Sequence, residues 1–202
     1  MKKPGDSQET IRYKTKMPLN PNTLIFSKLT ESSDVSSFRC SEYRDLEEFL
    51  RDDAKNYQRE KVATTYLVYS EDILVGYYSI AMGCVVSEQV QDLIGEIRYP
   101  PKKFPALLLA KMAAQDGLRG QGIGQEMLAQ VFSIAFRLCP HVGCRFIKVD
   151  AKNNQRTIHF YEKYGQFKKI PTGGSGDTVP MIVDLNKVCY DDTRPARLSD
   201  FD

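Results

Sequence analysis

Hydrophobic positions along the chain fall into two rhythms, and their alternation predicts the order of the elements. Leu46, Phe49, Leu50, Ala54 and Tyr57 recur three and four residues apart. That spacing gathers side chains on one stripe, so an amphipathic helix is expected over 43–58. TTYLVYS (64–70) and ILVGYYSIAM (73–82) are rich in aromatic and branched residues and are separated by Glu71-Asp72; they read as an antiparallel hairpin. Residues 87–95 read as a short helix, and Pro100-Pro101 ends any regular element there. ALLLAKMAA (106–114) is a near-continuous apolar run, expected of a strand covered on both faces. Met127, Leu128, Val131, Phe132 and Ala135 mark a second helix stripe, closed by Pro140. CRFIKVDA (144–151) reads as another buried strand, residues 154–164 as a helix and VPMIVDL (179–185) as a last strand. The expected order is helix, hairpin, strand, helix, strand, helix, strand: an α/β (α+β) sandwich with helices on a central mixed sheet.

The flanks lack this patterning. Residues 1–20 are polar and aperiodic and read as a flexible lead-in, residues 21–188 as one domain, and 189–202 as a peripheral tail. With 202 residues, 42% hydrophobic and 27% charged, the chain can bury one substantial core, which excludes wholesale disorder. No apolar run reaches membrane-span length, and MKKPGDSQETIRYKTK has no apolar segment of a secretory signal. The cytoplasm is therefore the expected location, with no membrane partner. Cys40, Cys84, Cys139, Cys144 and Cys189 contain no C-x-x-C pair, so neither a metal nor a redox site is expected. The 28 basic and 26 acidic side chains leave +2, a balance that neither requires nor excludes a nucleic-acid partner.

The chemistry concentrates in LRGQGIGQ (118–125), between the apolar run and the second helix stripe. Gly120, Gly122 and Gly124 strip side chains from a turn that opens a helix. Main-chain N–H groups can then converge on a phosphate, aided by the helix dipole, with Arg119 as a cation beside them. Glycines here could also simply shape a tight turn. No Lys-Ser/Thr pair follows, and the spacing is not G-x-G-x-x-G, so neither a Walker loop nor a dinucleotide fingerprint is present.

Arg119, Gly122 and Gly124 meet the spacing R-x-x-G-x-G, which resembles the coenzyme-A pyrophosphate motif of the GNAT acetyltransferases. AKNNQRTIHFYEKYGQF (151–167) resembles the later motif of that family, in its usual order and separation. FRCSEYRDLEEFLRDDA (38–54), followed by the hairpin with V-G-Y-Y, is similar to the GNAT branch of type II toxin–antitoxin systems, with Ser41 where glycine is usual. The resemblance spans about residues 38–185. It implies a GNAT fold: a mostly antiparallel sheet with splayed central strands and helices on both faces. It also implies acetyl-CoA as cofactor and, for the toxin branch, acetylation of the α-amino group of aminoacyl-tRNA. A small antitoxin and a homodimer are the partners it implies.

By this resemblance, N–H groups near Met112 and Ala113 hold the thioester carbonyl. Those of Leu118, Arg119, Gly120, Gln121, Gly122, Ile123 and Gly124 hold the pyrophosphate. Asn153 or Asn154 reaches the pantetheine amides, unless these side chains cap the loop instead. Tyr161 lies beside the sulfur as general acid, though it could also be a packing aromatic like Phe160 and Tyr164. Protonating a thiolate from an untuned phenol is uphill by about 2 kcal/mol, a tolerable cost.

No general base stands out. His141 falls in a loop and His159 on a short helix, and both read as structural or solvent-facing. Deprotonating a lysine near pH 7.4 costs about 4 kcal/mol, against under about 1 for an α-amine; the residues present suit the α-amine. Cations for an RNA acceptor are Lys55, Arg59 and Lys61, then Arg98, Lys102 and Lys103, and Lys168-Lys169, although such scattered charges commonly form a solvated surface. Rival readings are an acetyltransferase of a small-molecule or protein amine, a non-catalytic acyl-CoA module, and a nucleotide-binding protein.

Overall fold

The computed structural model describes residues 20, 23–95, 97–171 and 176–188. The expected lead-in (apart from Asn20), the expected tail and Cys189 lie outside the described residues. Seven strands form one sheet: β1 (Leu24–Lys28), β2 (Thr64–Ser70), β3 (Ile73–Val86), β4 (Lys103–Ala114), β5 (Phe146–Lys152), β6 (Lys168–Lys169) and β7 (Thr178–Asp184). Their spatial order is β1-β2-β3-β4-β5-β7-β6. Neighbours are antiparallel except β4 and β5, which run parallel. A parallel pair needs a crossover, supplied here by helix α4 (Ile123–Leu138).

Two strands went unread in the sequence. β1 buries Leu24 and Phe26 and exposes Ile25, a clean alternation too short to separate from loop. The two residues of β6 are both exposed lysines, charges that blunt an open sheet edge. The expected strands 106–114 and 144–151 shift to Lys103–Ala114 and Phe146–Lys152. Apolar cover on both faces holds only for the first half of β4. From Ala110 onward the burial falls away, leaving only Ala113 fully buried.

The expected helix over 43–58 comprises α1 (Arg44–Glu48), a π-helical turn (Phe49–Asp53) and α2 (Ala54–Arg59). The N–H of Ala54 donates to the carbonyl of Phe49, five residues back. That extra residue rotates the following turn, and Tyr57 emerges 43% exposed although its period matches the stripe. A short α3 (Gln91–Ile94) and α5 (Gln155–Gly165) complete the set. Helices α4 and α5 cover one face, over Tyr78, Leu107, Leu109, Ile147 and Val149. On the other face α1 packs over Leu67, Leu74 and Tyr77, while Leu93 and Ile94 of α3 cover Val85, Phe104 and Phe146. Tyr77 pins α1 to the sheet: its buried hydroxyl donates to the Leu46 carbonyl at 2.6 Å, and Phe38 meets its ring edge-on at 5.3 Å. Among the described residues no helix is long and apolar enough to cross a membrane.

Burial pushes the phenols of Tyr77, Tyr78 and Tyr161 above their ordinary value. The unfolded chain releases these protons near pH 10, whereas the folded chain holds them. Stability from these groups is therefore complete below about pH 10 and is lost as pH rises further. Urea midpoints should be flat from pH 7 to 9 and fall steeply above 10; a midpoint unchanged at pH 11 would contradict the burial.

Candidate active site

The parallel ladder between β4 and β5 runs only from Ala106↔Phe146 to Leu109↔Val149. Beyond that pair β4 stays with β3 as far as Ala114, and β5 stays with β7 as far as Lys152. The two strands thus part, and the register shift in the β3–β4 ladder next to Ala110 falls where they separate.

Strand geometry decides which main-chain groups enter the gap. The N–H of Gln115 donates to the Val75 carbonyl at 2.9 Å. Continuing that register makes Tyr77↔Ala113 and Ser79↔Lys111 the hydrogen-bonded pairs. Ala113 therefore directs its N–H and carbonyl to β3, and Met112 and Ala114 direct theirs into the gap. Of the two residues expected as thioester donors, Met112 directs its N–H into the gap and Ala113 does not, while Ala114 does.

The chain leaves β4 through Gln115–Gly122 and enters α4. Gly120 (φ 82°) and Gly122 (φ 86°) both lie in the left-handed region, where a side chain costs about 1–2 kcal/mol. Such a backbone points successive N–H groups to one side. Gly122 is the N-cap of α4 and accepts from Gln125 and Glu126, so Ile123 and Gly124 open the helix with N–H groups lacking an intrahelical acceptor. Leu118 differs from expectation, since its N–H donates to the Gln115 carbonyl at 3.2 Å. Gly124 has a packing reason: a Cβ there would lie 3.1 Å from the ring of Phe160.

Tyr161 sits on α5, buried in the cluster that also holds Leu109 and Val149, the last pair before the strands part. Phe160 and Phe167 meet its ring at 5.2 and 5.4 Å. Gly165 makes this possible: a Cβ there would come within 2.5 Å of Phe167. With its phenol pushed up by burial, Tyr161 stays protonated at physiological pH. Asn154 caps α5 by accepting from the Thr157 N–H at 2.9 Å. Asn153 donates its side-chain N–H to the Gly176 carbonyl at 3.1 Å. Both asparagines are thus engaged in loop geometry.

The segment before α1 packs against this turn, a role that its polar composition did not signal. Asp116 accepts from Ser41 through N–H (2.9 Å) and hydroxyl; these bonds, the hydroxyl's first, hold the carboxyl below its usual range. Ser41 has no positive φ, so nothing in the backbone requires glycine there. Arg119 pairs with Glu42 and lies 3.9 Å from Asp116 and 5.5 Å from the Tyr43 ring centre. Arg156 also binds Glu42, and its hydrogen bond is the main reason that carboxyl is held down to about 2. Lys152 pairs with Asp45 at 2.8 Å. His159 is exposed on α5 and His141 is exposed in the α4–β5 loop. The expected RNA-facing cations Lys55 and Arg59 make local contacts, Lys55 with the Glu31 and Ser33 carbonyls and Arg59 with Glu31. Among the described residues no group of three or more His, Cys, Asp or Glu is placed to hold a metal ion.

Parted parallel strands lead into a glycine turn at a helix start, and the chain belongs to the acetyltransferase (GNAT) family, which it matches over residues 31–166. It is similar to the tRNA-acetylating toxin of Mycobacterium tuberculosis (strain ATCC 25618 / H37Rv), with 25% identity over 137 residues, 66% of this chain and 80% of that protein. Its fold matches AtaT complexed with acetyl-methionyl-tRNAfMet (TM-score 0.69, 23% identity, 81% of this chain and 95% of that one). It matches a tyrosine-to-phenylalanine mutant of KacT similarly (TM-score 0.70, 22% identity, 81% and 96%). The expected fold class, with its splayed strands and helices on both faces, is the one observed.

The residues fit acetyl-CoA. The turn offers N–H groups without side chains over them, and the gap presents main-chain donors from Met112 and Ala114 to an extended amide-bearing arm.

Proposed function

We propose that this acetyltransferase modifies the α-amino group of aminoacyl-tRNA and thereby halts translation as a toxin. The observation that carries the reading is the likeness to a named tRNA-acetylating toxin, 25% identical over 137 residues, and the carboxylates packed against the glycine turn agree with it. Glu42, Asp45 and Asp116 are each held by cations or hydroxyls, and Glu42 is far too acidic to take a proton from an ammonium. Such a site suits an amine already largely neutral near pH 7.4, and an α-amine is closer to that condition than a lysine. The Mycobacterium tuberculosis relative, named as a tRNA-acetylating toxin, supports the same acceptor.

Acetyl-CoA supplies an activated carbonyl on a leaving thiol. The chain's own contribution is positional. N–H groups of the glycine turn hold the diphosphate, and the Met112 N–H fixes the thioester carbonyl. The Tyr161 hydroxyl would give its proton to the departing sulfur, and the proton shed by the acylated amine would restore the phenol. AtaT has been solved with the C-terminus of the antitoxin AtaR, which supports a small protein antitoxin as partner. A homodimer and a cytoplasmic location, where charged tRNA resides, complete the proposal.

Radiolabelled acetyl-CoA tests the acceptor. Charged tRNA should take up label at the amino acid, while uncharged tRNA, polyamines and lysine peptides should not. Label on polyamines or peptides with none on charged tRNA would replace this reading with acetylation of a small or protein amine.

A further inference from the structure

Two guanidinium groups from opposite sides of the gap converge on one carboxylate. Arg119 leads the glycine turn, Arg156 lies in the first turn of α5, and Glu42 precedes α1. Arg119 Nη1 and Arg156 Nη2 both reach Glu42 Oε2, the latter at 2.6 Å, and Arg156 also binds Oε1. We propose that Arg119 and Arg156 form a paired site for a phosphate, which Glu42 fills from within until a phosphate displaces it. The inference rests on the coenzyme reading above.

Two planar guanidiniums around one oxyanion are the arrangement that recognises phosphate, and here the oxyanion belongs to the chain itself. Charge makes the exchange productive. With Asp116 beside Arg119, the two arginines are balanced by two carboxylates and attract a phosphate weakly. Once Glu42 swings out, one positive charge remains next to the N–H groups of the turn. Glu42 is also one of three successive contacts that strap the gap. Tyr43 accepts from Asn154 at 3.0 Å, and Asp45 binds Lys152 at 2.8 Å. The partners are part-exposed or exposed, so each contact is weak enough to exchange. A phosphate at the arginines therefore loosens residues 42–45 over the gap.

The phosphate can come from the coenzyme or from the backbone of an RNA acceptor, and titration calorimetry at low salt separates them. Glu42→Gln should bind coenzyme A about tenfold tighter than the natural chain, with pantetheine, which lacks phosphate, unchanged. The Glu42→Gln/Arg156→Gln double variant should lose that gain. Amide exchange at residues 42–45 should quicken in Glu42→Gln and in the natural chain saturated with coenzyme A. A gain for uncharged tRNA in place of coenzyme A would support the same site with the acceptor as source. Equal or weaker binding of both ligands by Glu42→Gln would overturn the proposal. A natural chain with no affinity for coenzyme A would instead overturn the coenzyme reading itself.

Discussion

Replacing Tyr161 with phenylalanine should lower kcat by about 10²–10³-fold while leaving coenzyme A affinity within about twofold. The substitution keeps the ring that Phe160 and Phe167 pack against, so the variant should fold. Only the hydroxyl disappears. Burial raises the phenol further above a thiol, so the proton moves uphill unless it transfers as the sulfur departs. The same shift gives a pH signature. Activity should climb with pH as the acceptor amine loses its proton, with no fall below about pH 10 from ionisation of Tyr161. Single-turnover rates with calorimetry on the same preparation separate the two effects. Turnover at the natural rate in the phenylalanine variant would remove Tyr161 from the chemistry.

Gly122→Val should weaken coenzyme A binding by about 100-fold or more. At φ 86° a β-branched residue is strained, and relief requires the backbone to turn over. The N–H groups of Gly122 and Ile123 then leave the phosphate. Gly95 provides the comparison: it also has positive φ (72°), with nothing within 4 Å of an added Cβ. Gly95→Val should lose similar stability by thermal melting yet bind coenzyme A normally. Equal affinity in the natural chain and Gly122→Val would show that the turn does not grip the diphosphate.

Much of this site could be read from residue order. R-x-x-G-x-G located the turn, and F-Y-E-K located Tyr161, because both needs are local: left-handed glycines and a ring at a fixed helical position. The side to which Ala113 turns its N–H was not legible, since motifs name residues, whereas the direction of an N–H depends on which partner strand takes it. The glycine spacing marks Gly124 as an approach to phosphate but carries no sign of its second constraint, the ring of Phe160, 36 positions along the chain. Arg156, Glu42 and Tyr43 carried no signal of their own, because their meaning comes from a convergence of distant segments. The π-helical turn was invisible for the opposite reason: one extra residue leaves the apolar spacing almost unchanged.

The donors that enter the gap are peptide groups, not side chains. Substitution can therefore rewrite the residues over that stretch of β4 without erasing its grip, proline being the one replacement that deletes an N–H. A surface built this way can drift far in composition while its architecture persists.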